Sequence, residues 1–159
     1  MGRPIYRTTR STSTITGAET WLIDTGPLIA LLVRTDAWHP WAVETAKRAP
    51  ATVLTCDAVI SEAVFLLKRA GHDTAGLFDL VELGFLRSDF DFHAQYRHVR
   101  DLIRRYRERP MAFADACLVR MAELRPEACI WTLDADFRVY RKNRRQTLPL
   151  VTPPPAGDA

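Results

Sequence analysis

Cysteine is scarce. The chain of 159 residues has three, Cys56, Cys117 and Cys129. The number is odd, no two form a CxxC pair, and each lies within or beside an apolar segment. They read as reduced core thiols of a cytosolic protein rather than as zinc ligands or a disulfide framework. Long hydrophobic runs are also missing. None approaches the ~20 residues a membrane span needs, so no membrane association is expected. Residues 1–20, MGRPIYRTTRSTSTITGAET, lack both an apolar period and the apolar stretch of a secretory signal. Rich in Ser and Thr, they are expected to form a disordered leader. Residues 153–159, at the other end, read as a Pro-rich tail.

What remains, residues 21–152, is long enough for one domain that buries roughly two-thirds of its unfolded surface without help from a structural metal. Hydrophobic content of 47% and charged content of 26% are ordinary for a globular chain. The net charge of +3 is modest but unevenly placed. Arg97, Arg100, Arg104, Arg105, Arg107 and Arg109 crowd one segment; Arg138, Arg141, Lys142, Arg144 and Arg145 crowd another. Such runs are most often solvated faces. They also suit a polyanion, whether RNA, DNA or an acidic protein.

Short apolar runs alternate with helical stretches. WLID, TVLT, FLRSDF, ACIWTL and LPLV read as strands. GPLIALLVR, HPWAVETAKRA, DAVISEAVFLLKRAG, DTAGLFDLVELG, FHAQYRHVRDLIRRYRER and AFADACLVRMAEL read as helices. Pro27 suits a first helical turn, Asp57 an N-cap and Gly71 a C-terminal stop. In the long helix Phe92, Tyr96, Val99, Ile103 and Tyr106 recur at spacings that predict its buried stripe, with Arg97, Arg100, Arg104 and Arg107 about 100° round from it. Strands separated by helices imply parallel pairing: an α/β domain, a three-layer α/β/α sandwich around a central, mainly parallel sheet.

In such a sheet the ligand crevice lies beyond the carboxyl ends of the strands. Asp24 ends the first strand and Asp134 the fourth. Alone, each is best read as a cap or turn residue. Glu62 is the one ionisable residue between Ala58 and Leu67, and its face is expected to be shielded; a buried carboxylate must pair, become neutral or bind a metal. Asp115, in the first turn of its helix, also complements the helix dipole. As a set, the four can converge in one crevice, where they would repel one another without cations. With no histidine or cysteine set to join them, oxygen-only ligation points to Mg²⁺ or Mn²⁺ rather than zinc. A pair of such ions serves phosphodiester hydrolysis with water as nucleophile.

LIDTGPLIALL, ISEAVFLL, FADACLVRMAE and WTLDADFRVYR, in this order and spacing, resemble the four acidic motifs of the PIN-domain family, close to its VapC-type toxins. The resemblance covers about residues 21–152. It implies a PIN-like fold and a catalytic, metal-binding quartet of Asp24, Glu62, Asp115 and Asp134. It also implies Thr132 as the small hydroxyl residue ordering the site and Asp136 as an auxiliary metal-binding acid. The activity implied is that of a Mg²⁺- or Mn²⁺-dependent endoribonuclease, a cytoplasmic toxin with RNA as substrate, often a homodimer and often held by a cognate antitoxin. Arg97, Arg100, Arg104, Arg138 and Arg141 are then the expected RNA-binding residues.

Two other classes compete. An inactive PIN fold that binds RNA or protein fits less well, because all four quartet positions are acidic. A phosphate-transfer fold fits less well still: a haloacid-dehalogenase-like site needs a second Asp two residues after the first, where Gly26 stands, and a receiver domain needs an acidic pair and a strand-end Lys. His39, His72, His93 and His98 are expected at surfaces or helix ends. Trp21, Trp38, Trp41 and Trp131 are expected in the core or in dimer contacts.

Overall fold

Five short strands, most of them buried on both faces, carry the fold in a computed structural model that describes residues 20–155. The expected leader, up to residue 19, and the last four residues of the expected tail lie outside the described residues. The strands are β1 (Trp21–Ile23), β2 (Val53–Thr55), β3 (Leu86–Ser88) and β4 (Cys129–Trp131), with β5 (Arg141–Lys142), β6 (Gln146–Thr147) and β7 (Leu150–Val151) following. The helices are α1 (Thr25–Leu32), α2 (His39–Ala46), α3 (Asp57–Arg69), α4 (Ala75–Glu82), α5 (Phe92–Arg105) and α6 (Phe113–Leu124). The sheet runs β3-β2-β1-β4-β7. Every neighbouring pair in it is parallel, with Leu22 opposite Leu54 on one side and Ile130 on the other. Helices pack around this sheet as a three-layer α/β/α sandwich.

This order matters for function. The chain leaves β1 toward β2 on one side and returns to β4 on the other, so strand order reverses at β1 and opens a crevice beyond its carboxyl end. β1, β2 and β4 are buried at all three positions, as covered parallel strands require. Leu22, Ile23, Ile130 and Trp131 lie in the core with Leu28, Leu118 and Met121. A row of indoles braces one flank: Trp21 to Trp131 at 5.8 Å between ring centroids, Trp131 to Trp41 at 6.3 Å and Trp41 to Trp38 at 6.3 Å, each pair edge to face.

Three sequence expectations need correction. Glu62 is exposed rather than shielded, because α3 buries Val59, Ala63 and Leu67 and turns Phe65 and Leu66 outward with the acid. The apolar residues near Glu62 in sequence therefore surround the helix instead of enclosing the acid. In α5, Phe92 and Tyr96 are exposed and the buried positions are Val99 and Leu102. Phe92 instead meets Phe113 edge to face at 5.2 Å. Cys56, rather than Asp57, occupies the N-cap of α3; Asp57 is its first residue and accepts a hydrogen bond from the Ser88 hydroxyl.

Other local readings hold. Gly71 follows α3 with a φ of 78°, a left-handed conformation that a side chain would strain. The β5–β6 hairpin has no counterpart in the sequence pattern. Each of its strands has two residues, too few for alternation to register.

Candidate active site

Each acid reaches the crevice for a local reason. Asp24 caps α1: its Oδ1 accepts the Thr25 N–H at 2.8 Å, and its own N–H extends the β1–β4 ladder to the Trp131 carbonyl at 2.9 Å. Asp134 caps a single 3₁₀ turn, Ala135–Arg138, by accepting the Asp136 N–H at 2.8 Å. The plain capping roles are thus real. They aim the carboxylates instead of excluding a further role. Asp115 sits in the first turn of α6, and Glu62 projects from the second turn of α3. All four line one cavity of about 370 Å³, with Thr25, Leu66 and Leu133 in its wall.

Thr132 joins two of the acids. Its hydroxyl donates to Asp24 Oδ2 at 2.8 Å and accepts the Asp134 N–H at 2.9 Å. The side chain is buried, so these bonds fix Asp24 firmly against the end of β4.

Burial sets two acids apart from the other two. Burial raises the Asp24 carboxyl to about 6; the hydrogen bonds from Thr132 and Thr25 oppose the rise, and the charges of Asp134 and Glu62 add to it. Burial, followed by the charges of Asp24 and Asp134, raises Asp115 to about 7. Asp24 and Asp115 form a buried floor, while Glu62 and Asp134 form an exposed rim. Among the described residues, no three His, Cys, Asp or Glu side chains are already gathered closely enough to hold a metal ion. A cation held by all four acids would need the rim acids to move toward the floor. The donor set itself, four carboxylates with no nitrogen or sulfur, fits a hard divalent cation, whose charge would relieve the repulsion that burial enforces.

The remaining candidates are placed less centrally. Asp136 does not line the cavity and lies 3.9 Å from Arg109. Arg97 rests over the Tyr96 ring at 5.8 Å, and Arg100 pairs with Asp101 at 3.0 Å. Arg104 lines an apolar groove beside Phe92 and Phe113, and Arg138 is exposed. Arg141 directs Nη1 to the carbonyls of Arg138, Val139 and Tyr140 at 2.7–3.0 Å, which makes it a brace for the turn. None of the histidines lines the acidic cavity; His39 donates from Nδ1 to the Ala30 carbonyl at 2.7 Å.

Three residues near the acids escaped sequence reasoning. Tyr140 is fully buried and its hydroxyl donates to Asp115 Oδ2 at 3.3 Å. It follows the 3₁₀ turn and meets Phe137 edge to face at 5.5 Å between ring centroids. The buried Thr25 hydroxyl finds no hydrogen-bond partner among the described residues, although it stands next to Asp24. Gly26 leaves room for Leu133, whose Cβ would lie 3.3 Å from any Cβ added there.

Tyr140→Phe tests the first of these. It should leave the protein folded and lower activity near neutral pH by roughly fivefold, the equivalent of one hydrogen bond. Its acidic limb should move to higher pH, since Asp115 is deprived of a hydrogen bond that favours its charged form. A pH–rate profile superimposable on the wild type would show Tyr140 to be packing alone.

The chain is thus a parallel α/β/α sandwich with four acids at the switch point of its sheet. The PIN domain family model matches residues 21–143, most of the chain, and this chain belongs to that family. Among solved structures, the fold is similar to that of Mycobacterium tuberculosis VapC20, a sarcin-ricin loop cleaving toxin. The TM-score is 0.66 at 23% identity, over 82% of this chain and 100% of that one. No curated protein matches the chain.

Proposed function

We propose that this protein is a Mg²⁺- or Mn²⁺-dependent endoribonuclease, the toxin of a toxin–antitoxin pair. One observation carries the reading: acids from β1, α3, α6 and the end of β4 line a single cavity, and two of them are held far above the ordinary carboxylate range. The fold neighbour VapC20, as a sarcin-ricin loop cleaving toxin, favours RNA as the substrate and a toxin's role.

In this reading Asp24, Asp115, Glu62 and Asp134 hold the cation. Asp24 and Asp115 are the fixed ligands, oriented by Thr132, Thr25 and Tyr140; Glu62 and Asp134 close from the rim. Asp136 is auxiliary. A bound divalent cation supplies Lewis-acid stabilisation of charge on the phosphate and lowers the pKa of water. Leu66 and Leu133 limit water around the buried carboxylates. In this reading water is the attacking group. Arginines of α5 and of the turn after β4 draw in the RNA.

The chain is read as one nuclease domain over residues 21–152, acting in the cytoplasm. Among the described residues no helix is long and apolar enough to cross a membrane. An antitoxin and a second copy of the chain are its proposed protein partners. Phe65, Phe92 and Phe113, all exposed, offer apolar surface for such contacts.

The deciding assay incubates purified protein with total RNA and with a DNA oligonucleotide, in Mg²⁺, in Mn²⁺ and in excess chelator. RNA fragments should appear with either ion and disappear with chelator. Cleavage indifferent to the chelator, or no cleavage with either ion, would sink the proposal.

A further inference from the structure

A second polar cavity, of about 320 Å³, opens away from the acids, between the C-terminal half of α5, the flank of α6 and the β5–β6 hairpin. Its wall is rigid. Arg120 donates from Nε to Gln95 at 2.9 Å and from Nη1 to Glu123 at 2.9 Å, which clamps α6 to α5. Glu123 also accepts the Asn143 N–H at 2.8 Å, which clamps the hairpin to α6. The other acid in the wall, Asp101, is paired with Arg100. Both negative charges are therefore answered by arginines. The side chains of Arg105 and Arg144, which line the same cavity, make no ion pair or hydrogen bond among the described residues.

The backbone adds an independent observation. Asn143 and Arg144 have φ of 48° and 69°. Asparagine tolerates this left-handed region, but arginine crowds its Cβ there against the backbone, a strain that glycine would avoid. The hairpin thus holds an arginine, at a conformational cost, on the rim of a cationic cavity. Guanidinium groups in one cavity wall match a phosphate, which a guanidinium binds in bidentate fashion.

We propose that this cavity binds a backbone phosphate of the RNA substrate, with Arg105 and Arg144 closing on it. The proposal rests on the ribonuclease reading. Position favours RNA over a free anion. Arg120 and Glu123 follow Asp115 in α6 by five and eight residues, roughly 8–12 Å of helical rise and about 140° and 80° round the axis, a separation that a strand passing round α6 can span and a single anion cannot. The hairpin that carries Arg144 also continues directly from Tyr140, which touches Asp115. The cavity is thus an anchor beyond the scissile bond. It lies on a different side of α5 from Arg100 and Arg104, which line the apolar groove.

The test measures dissociation constants for a labelled single-stranded RNA, in chelator so that no cleavage occurs, across a salt series. Wild type, Arg105→Gln, Arg144→Gly and the double variant are compared, with thermal unfolding of each. Each single change should weaken binding about fivefold to tenfold and flatten the salt slope by roughly 0.7 for each phosphate no longer neutralised. Arg144→Gly should at the same time melt no lower than wild type, because it relieves the backbone. A purely structural arginine would give the reverse, lower stability and unchanged RNA affinity, and would overturn the proposal. So would polyglutamate displacing the RNA while the arginine variants still bind RNA normally, or inorganic phosphate protecting Arg105 and Arg144 without competing with RNA. Wild-type cleavage is followed in parallel with Mn²⁺. If it persists while the variants bind RNA as wild type does, the anchor fails and the ribonuclease reading stands. If wild type neither binds nor cleaves RNA, both fail.

Discussion

Asp24→Asn and Asp115→Asn should each reduce RNA cleavage at least about a hundredfold, a loss of ~2.7 kcal/mol of transition-state stabilisation. These two carboxylates are the fixed floor of the cavity, and no neighbouring side chain can substitute for either. Glu62→Gln and Asp134→Asn should also remove most activity. Their exposed side chains have more freedom, so the residual rate should be higher and should recover in part at high Mn²⁺. Asp136→Asn, outside the cavity wall and near Arg109, should have the smallest effect. Rates would be followed by single-turnover cleavage of a labelled RNA, with circular dichroism to confirm folding. Full activity in any two of the quartet variants would remove the assignment.

The same burial makes stability depend on pH and on cations. Asp24 and Asp115 have folded values of about 6 and about 7, above the ordinary 3.8, so their uncharged forms favour the fold. Their contribution is fully present below about pH 4 and is lost as pH rises through 6 to 7. The metal-free protein should therefore lose stability between about pH 4 and 7, with little further loss above that. At pH 8, Asp115→Asn should be more stable than wild type by roughly 2 kcal/mol, or about 4–8 °C in Tm for a domain of this size. Divalent cation should reverse the order. At a hundred times its dissociation constant, Mn²⁺ should stabilise wild type by ~2.7 kcal/mol and Asp115→Asn by much less. Thermal unfolding of both proteins across pH and Mn²⁺ checks this. A wild type indifferent to the ion, together with an Asn variant that melts lower, would make Asp115 a structural acid.

The sheet was legible because covered parallel strands must be apolar at successive positions and the intervening helices are long enough to show their period. Asp24 and Asp134 were legible as strand-end acids, and the structure places both in the wall of one cavity with Glu62 and Asp115. Glu62 was found for a mistaken reason. Its isolation among apolar residues suggested burial, but a one-dimensional neighbourhood does not say which way a helix faces, and α3 exposes Phe65 and Leu66 beside it. The stripe of α5 failed similarly: Phe92 and Tyr96 keep the helical period yet lie on the edge that packs against Phe113 rather than on the core. Tyr140 and the Arg144 hairpin were illegible because single turns and two-residue strands leave no periodic trace, and because their partners, Asp115 and Glu123, are some twenty residues or more away in sequence.

The hydrogen bond from Thr132 to Asp24 spans 108 residues and depends on β4 pairing beside β1. A chain emerging from the ribosome makes Asp24 early, but the bond that orients it has no donor until the fourth strand has been synthesised and has docked. Contacts of such long range form late in folding. If the proposed function holds, a growing chain exposes no assembled catalytic centre to the ribosome and messenger beside it, and the capacity to cut RNA arrives in one step, when the sheet closes.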